Sequence, residues 1–109
     1  MARTRRRSPS HLVDGWPDEA ASDATVEVAR ILAIRLREAM DGRSARETGR
    51  ISRVDYSTVS AILNGTTWPD LRTIARLEAG LGVDLWPSGV ALSGAAARGP
   101  QEGPFGVAG

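Results

Sequence analysis

The chain contains no cysteine and no lysine, and its single histidine, His11, lies in a polar stretch near the N-terminus. Without thiols, disulfides, iron–sulfur clusters and Cys-ligated zinc are excluded. His11 reads as a solvated residue, and no glycine-rich phosphate loop accompanies it. The Asp residues that precede apolar helical patterns read as helix caps rather than as an acid/base pair. Neither an enzyme nor a cofactor is therefore expected. No apolar run approaches the ~20 residues that a membrane helix needs. The basic start is not followed by an apolar core, so it does not read as a secretory signal. The expected location is cytoplasmic, with no membrane partner.

What is present is arginine. All 14 basic residues are Arg, yet the net charge is only +1 over 109 residues. Base composition rich in G and C produces such a bias, and so does selection for a guanidinium fork that suits phosphate and guanine. From Asp23 to Asp84, nine Arg face nine acidic residues, so a basic footprint has to come from placement. Arg43, Arg46, Arg50 and Arg53 cluster with only Glu47 among them, and Arg3, Arg5, Arg6 and Arg7 form a second group.

The expected organisation is one folded unit between two tails. Residues 1–22 hold few large apolar groups, and Pro9, Gly15 and Pro17 interrupt them; they read as a flexible Arg-containing arm. Trp16 within it is either an anchor on the domain or an exposed tail residue. Residues 23–87 carry the periodic apolar pattern. Residues 88–109 are rich in Gly, Ala and Pro without apolar period, and read as a disordered tail.

Within the domain, Asp23 is placed to cap a first helix whose stripe is Val26, Ala29, Leu32, Ala33, Leu36, Ala39 and Met40. Asp41 and Gly42 end it. Ser44 and Glu47 form a capping box for a short second helix running to about Ser52. Asp55 is expected to cap a third helix that turns Val59 and Ile62 inward and ends at Asn64 and Gly65. After a loop of residues 66–69, Asp70 caps a fourth helix that Gly82 stops. Residues 83–87 form a closing turn, whose Leu85 and Trp86 are expected to cover the open end of the core. The predicted fold is thus all-α, a small bundle of four to five helices containing a helix-turn-helix motif, flanked by disordered tails.

Such spacing suits a unit whose third helix presents its N-terminal turns to a DNA major groove. Tyr56, Ser57, Ser60 and Ala61 on its outward face are short or hydrogen-bonding and uncharged, where an ordinary solvated face carries Glu, Lys or Arg. Gly42 and Ser44, the run from Val54 to Gly65, Pro69-Asp70-Leu71 and the run from Ile74 to Val83 together resemble the phage repressor and Cro family, the XRE-type helix-turn-helix regulators of lambda repressor-like fold. The likeness covers about residues 34–85.

The resemblance implies a transcription regulator with double-stranded DNA as its partner, usually bound as a homodimer on two half-sites. It implies base reading by Tyr56, Ser57 and Ala61, with Ser60 beside them. Phosphate contacts fall to Ser44, Asn64, Thr66 and Thr67, with Arg46 and Arg53 of the basic cluster added to that set. Asn64 serves equally as a structural cap, and Thr66 and Thr67 equally as a solvated loop. The Arg3–Arg7 group either enters a minor groove or contacts nothing. Ala45 stands where the family usually has a phosphate-binding glutamine. Thr48 and Ser52 replace apolar leucines, Gly49 replaces a close-packing alanine, and Arg53 replaces the turn glycine. Either these positions keep the family's helix phase, or the helix rotates and Ile51 enters the core. The alternative function is an antitoxin-like or partner-dependent protein-interaction module that keeps the fold with little DNA affinity of its own.

Overall fold

Asp23 opens the first helix by accepting hydrogen bonds from the amides of Thr25 at 2.8 Å and Val26 at 3.3 Å. These are two of the donors that a helix start leaves unpaired. A computed structural model of the chain describes residues 7–97. The helix, α1 (Ala24–Met40), buries Val26, Ala29, Leu32, Ala33, Leu36 and Met40. Asp41 (φ 52°) and Gly42 (φ 83°) then turn the chain through left-handed angles.

The Ser44 hydroxyl accepts from the Glu47 amide at 3.1 Å and starts α2 (Ala45–Ser52). Only this half of the capping box is made. The Glu47 carboxylate faces Arg50 instead, at 3.5 Å. Helix α3 (Tyr56–Asn64) begins without the expected side-chain cap: the Asp55 carboxylate accepts no capping bond, and the Thr58 amide donates to the Asp55 carbonyl at 2.9 Å. Asp55 is exposed, so its carboxylate exchanges a protein donor for water at little net loss. Helix α4 (Leu71–Leu81) starts at Asp70, which accepts from the Thr73 amide at 2.8 Å, and stops at Gly82.

The core joins Leu32, Leu36 and Met40 of α1, Val59 and Ile62 of α3, Ile74 and Leu77 of α4, and Leu85 beyond it. Helix α2 packs on α3 and α4, outside this cluster. The closing turn is fastened from two sides. Glu78 Oε2 accepts from the amides of Leu85 at 2.8 Å and Trp86 at 3.0 Å, and Arg35 donates to the Trp86 carbonyl at 2.9 Å. Leu85 and Pro87 are buried, whereas Trp86 stays 45% exposed, so only the leucine of the expected pair closes the core.

Both flanks carry more structure than their composition suggests. Pro9–Leu12 form a 3₁₀ turn with Pro9 buried. Trp16 is half-buried and its Nε1 donates to the Leu63 carbonyl at 3.0 Å. The indole lies so close over Gly65 that a Cβ there would stand 2.5 Å from the ring. The Ser10 amide donates to the Gly65 carbonyl at 2.8 Å, so two carbonyls at the end of α3 find donors in this segment. Glu27 and Arg30 form a two-bond ion pair at 2.7 and 2.9 Å and hold the segment as well. Glu27 accepts from the Ala21 amide at 2.8 Å, and Arg30 donates to the Pro17 carbonyl at 2.9 Å. The Arg30 hydrogen bond leads in holding the Glu27 carboxyl below its ordinary range. Trp16 is thus an anchor, and residues 7–22 lie on the domain.

On the other side, Val90–Ala97 is helix α5, packed against α1, where the sequence suggested tail. Alanine gives up no side-chain entropy in a helix, which favours helix without leaving an apolar period to read. The rest of the expected arm and tail, residues 1–6 and 98–109, lies outside the described residues.

Two outcomes follow. Trp16→Ala is expected to destabilise by about 2 kcal/mol, roughly half the value for a fully buried tryptophan. That corresponds to a fall of about 10 °C in Tm; an unchanged melt would detach the segment from the domain. The amides of Trp86 and Leu85 hold the Glu78 carboxyl below its ordinary range, because they bind only its charged form well. The stability it adds is therefore present at neutral pH and lost as pH falls through the lowered value. Glu78→Ala should melt below the parent at neutral pH by about 1 kcal/mol, and the gap should close in acid. A gap independent of pH would remove the carboxylate from that role.

Candidate nucleic-acid interface

The turn between α2 and α3 is built on steric limits. Arg53 takes left-handed angles (φ 60°, ψ 43°), which cost a side-chain-bearing residue about 1–2 kcal/mol. Its neighbour Val54 donates from its amide to the Gly49 carbonyl at 2.9 Å. A Cβ on Gly49 would collide with the Val54 carbonyl. Here the glycine sits on the helix and the side chain on the turn, and the tight corner survives. Arg76 of α4 donates to the Arg53 carbonyl at 3.2 Å and ties the corner from outside.

The phase of α2 is set by this fit. Thr48, Gly49 and Ser52 are buried, and Ile51 is only half-buried and outside the core cluster. The helix has not rotated to bring Ile51 inward. On its other side a Cβ on Gly80 would stand 2.5 Å from Ser52 Oγ and 2.6 Å from Ser52 Cα. Small residues therefore let α2 and α4 approach closely, and a rotated α2 would drive the isoleucine into that space. The consequence is two buried hydroxyls, Thr48 Oγ1 and Ser52 Oγ, without hydrogen-bond partners.

Along α3, Tyr56 and Ser57 are exposed, while Ser60 and Ala61 are half-buried. Across the turn Arg46 lays its guanidinium over the Tyr56 ring, 4.2 Å from the centroid, a cation–π geometry. The two residues border a concavity of about 440 Å³ that also receives Arg50, Arg53 and Asp55. Sequence spacing did not reveal this pair, because its members lie on separate helices ten positions apart. Ser44, Arg46, Arg53, Asn64 and Thr66 are exposed and Thr67 half-buried. The Ser44 hydroxyl is already engaged by the Glu47 amide. Thr66 folds back on the end of α3, its amide donating to the Ala61 carbonyl at 2.9 Å and its hydroxyl to the same oxygen at 3.4 Å. Ser44 and Arg46 thus sit at the start of α2, Tyr56 and Ser57 at the start of α3, and Asn64 to Thr67 at its far end.

An unpaired buried hydroxyl costs about 1–3 kcal/mol, and an apolar group of equal shape avoids that loss. Thr48→Val is therefore expected to raise the stability by about 1 kcal/mol, read as a rise in Tm. A fall in Tm would mean that the Thr48 hydroxyl has a partner.

Residues 34–85 match the family described as helix-turn-helix. No curated protein and no solved structure matches the chain significantly. The matched span runs from the middle of α1 through the α2–α3 corner and α4 to Leu85, the same limits as the likeness read from sequence. With its all-helical fold and its α2–α3 corner, this region has the architecture of a helix-turn-helix domain, and the match supports its likeness to the phage repressor and Cro (XRE-type) regulators.

Proposed function

We propose that the chain is a sequence-specific or semi-specific transcription regulator that seats α3 in the major groove of duplex DNA. Tyr56, Ser57, Ser60 and Ala61 meet base edges. Ser44, Arg46, Arg53, Asn64, Thr66 and Thr67 meet phosphates. The observation that carries this reading is the Arg46–Tyr56 stack at the α2–α3 corner. It holds a cation, on an exposed surface, beside Tyr56 and Ser57, both exposed at the start of α3. A guanidinium already held in place loses less entropy when it binds phosphate. Ser44 contributes through the free amides and positive dipole end of α2, since its hydroxyl is engaged.

Serine bonds either kind of base, and alanine touches only a thymine methyl, so discrimination by α3 is modest. Phosphate contacts and DNA shape supply the remainder. Trp68 Nε1 donates to the Arg7 carbonyl at 2.7 Å, which holds Arg7 beside the loop carrying Thr66 and Thr67. That position supports an Arg3–Arg7 arm that enters a minor groove. Two copies on paired half-sites, in the cytoplasm, complete the proposal. Of Leu85 and Trp86, only Trp86 is exposed and open to a dimer contact. The second reading, a protein-interaction module, is favoured by exposed apolar surface at the start of α4, where Leu71 is 77% exposed.

Ser57→Glu and Arg46→Ala test the first reading, by fluorescence anisotropy on duplexes selected from a random pool, at several salt concentrations. A carboxylate near the start of a helix is stabilising, so Ser57→Glu should melt at or slightly above the parent. It should weaken duplex binding at least tenfold, ~1.4 kcal/mol. Arg46→Ala should weaken all duplexes alike and lower the salt slope by about one. Undiminished duplex binding by folded Ser57→Glu would take α3 out of the groove and leave the protein-partner reading.

A further inference from the structure

A second cavity, of about 330 Å³, opens between α1, the 66–69 loop, the start of α4 and α5. Its walls include Val28 and Leu32 of α1, Ile74 of α4, Ala91 of α5, and the indoles of Trp68 and Trp86. Among the described residues, no charged side chain lines it. We propose that this cavity is a binding site for a small, uncharged aromatic molecule.

Size and chemistry both point that way. The volume falls at the lower end of small-molecule sites, ~300–1,000 Å³. A charged ligand would lose its hydration here and find nothing to replace it. The polar lining group Thr25 is already engaged, its hydroxyl donating to Asp23 Oδ1 at 2.5 Å, and Trp68 Nε1 is engaged by the Arg7 carbonyl. An aromatic ring meets two tryptophans there, and aromatic pairing adds to simple burial.

The use of side chains argues against a chance void. The core proper is filled by Leu, Ile, Val and Met, while two of the three tryptophans stand at this cavity. Trp86 remains 45% exposed, so a ring beneath it removes apolar surface from water. The indole of Trp68 is positioned in advance, and so is the backbone that carries Trp86. Trp86 is held at its amide by Glu78 and at its carbonyl by Arg35, and Trp68 is held at its own Nε1. Little freedom is lost when a ligand enters walls that are already fixed.

The test is independent of DNA binding, so its failure leaves the proposed function untouched. Indole is titrated into the intact, isotopically labelled chain while the N–H signals of Trp16, Trp68 and Trp86 are followed by nuclear magnetic resonance. Saturable shifts of Trp68 and Trp86, with Trp16 unmoved at the end of α3, are expected. Indole-acetate, which is charged, should bind at least tenfold more weakly. Ala91→Leu fills the cavity from an exposed position on α5, so it should weaken indole binding at least tenfold while the melt stays in place. If that variant melted low, Val28→Phe would provide the same block from α1. Shifts that never saturate, equal shifts at Trp16, equal affinity for indole-acetate, or undiminished binding by a folded, filled variant would each overturn the proposal. So would shifts of the same two signals on dilution without indole, which would place a second copy over the cavity. A cavity that rejects indole because residues 98–109 already occupy it would overturn it as well.

Discussion

At Gly49 a methyl group would run into the Val54 carbonyl, and at Gly80 it would run into Ser52. Helix α2 is held between these two points, where backbone meets backbone and no side chain fits. Close packing of this kind transmits displacement rather than absorbing it. The angle of α2 against α3, the left-handed angles of Arg53 and the placing of Arg46 over Tyr56 all follow from it. The same closeness leaves Thr48 and Ser52 facing protein with unpaired hydroxyls. The corner is therefore exact in shape but not optimised for stability, a common condition where a surface serves binding.

Much of the frame is legible in the residues because its causes are local. Asp23, Ser44 and Asp70 cap their helices through side-chain oxygens that reach amides two or three positions on, and that reach is a property of the residue type. The inward faces of α1, α3 and α4 follow from helical period alone. Asp55 shows where the rule stops: a carboxylate in water has no need of the amide it could accept. The features that escape the sequence depend on meetings across distance. Trp16 anchors through a carbonyl 47 positions away, and an indole between prolines and acidic residues gives no sign of that partner. Arg46 and Tyr56 meet only because the corner folds as it does. Helix α5 hides because alanines favour helix without marking a face, and the phase of α2 was settled by glycines rather than by its apolar residues.

The interface itself divides along the same line. That α3 offers an uncharged, short-chained surface was visible in its composition, and the family match covers that stretch. How each residue is occupied was not. Ser44 spends its hydroxyl on its own helix, and Thr66 turns both its amide and its hydroxyl back to Ala61. Contacts from these positions to a phosphate would therefore draw on helix amides or on a rearranged loop.

The indole of Trp16 pressed onto Gly65 has a kinetic meaning as well. Helix ends ordinarily fray, opening and closing on their own at almost no cost in free energy. Here the last turn of α3 cannot unwind without lifting a tryptophan, breaking the Leu63 bond and releasing Ser10 from Gly65. The end of α3 and a segment more than forty residues earlier in the chain thus open together or not at all, as one cooperative unit. Whatever loosens the segment loosens the far end of α3, even though the two share no stretch of sequence.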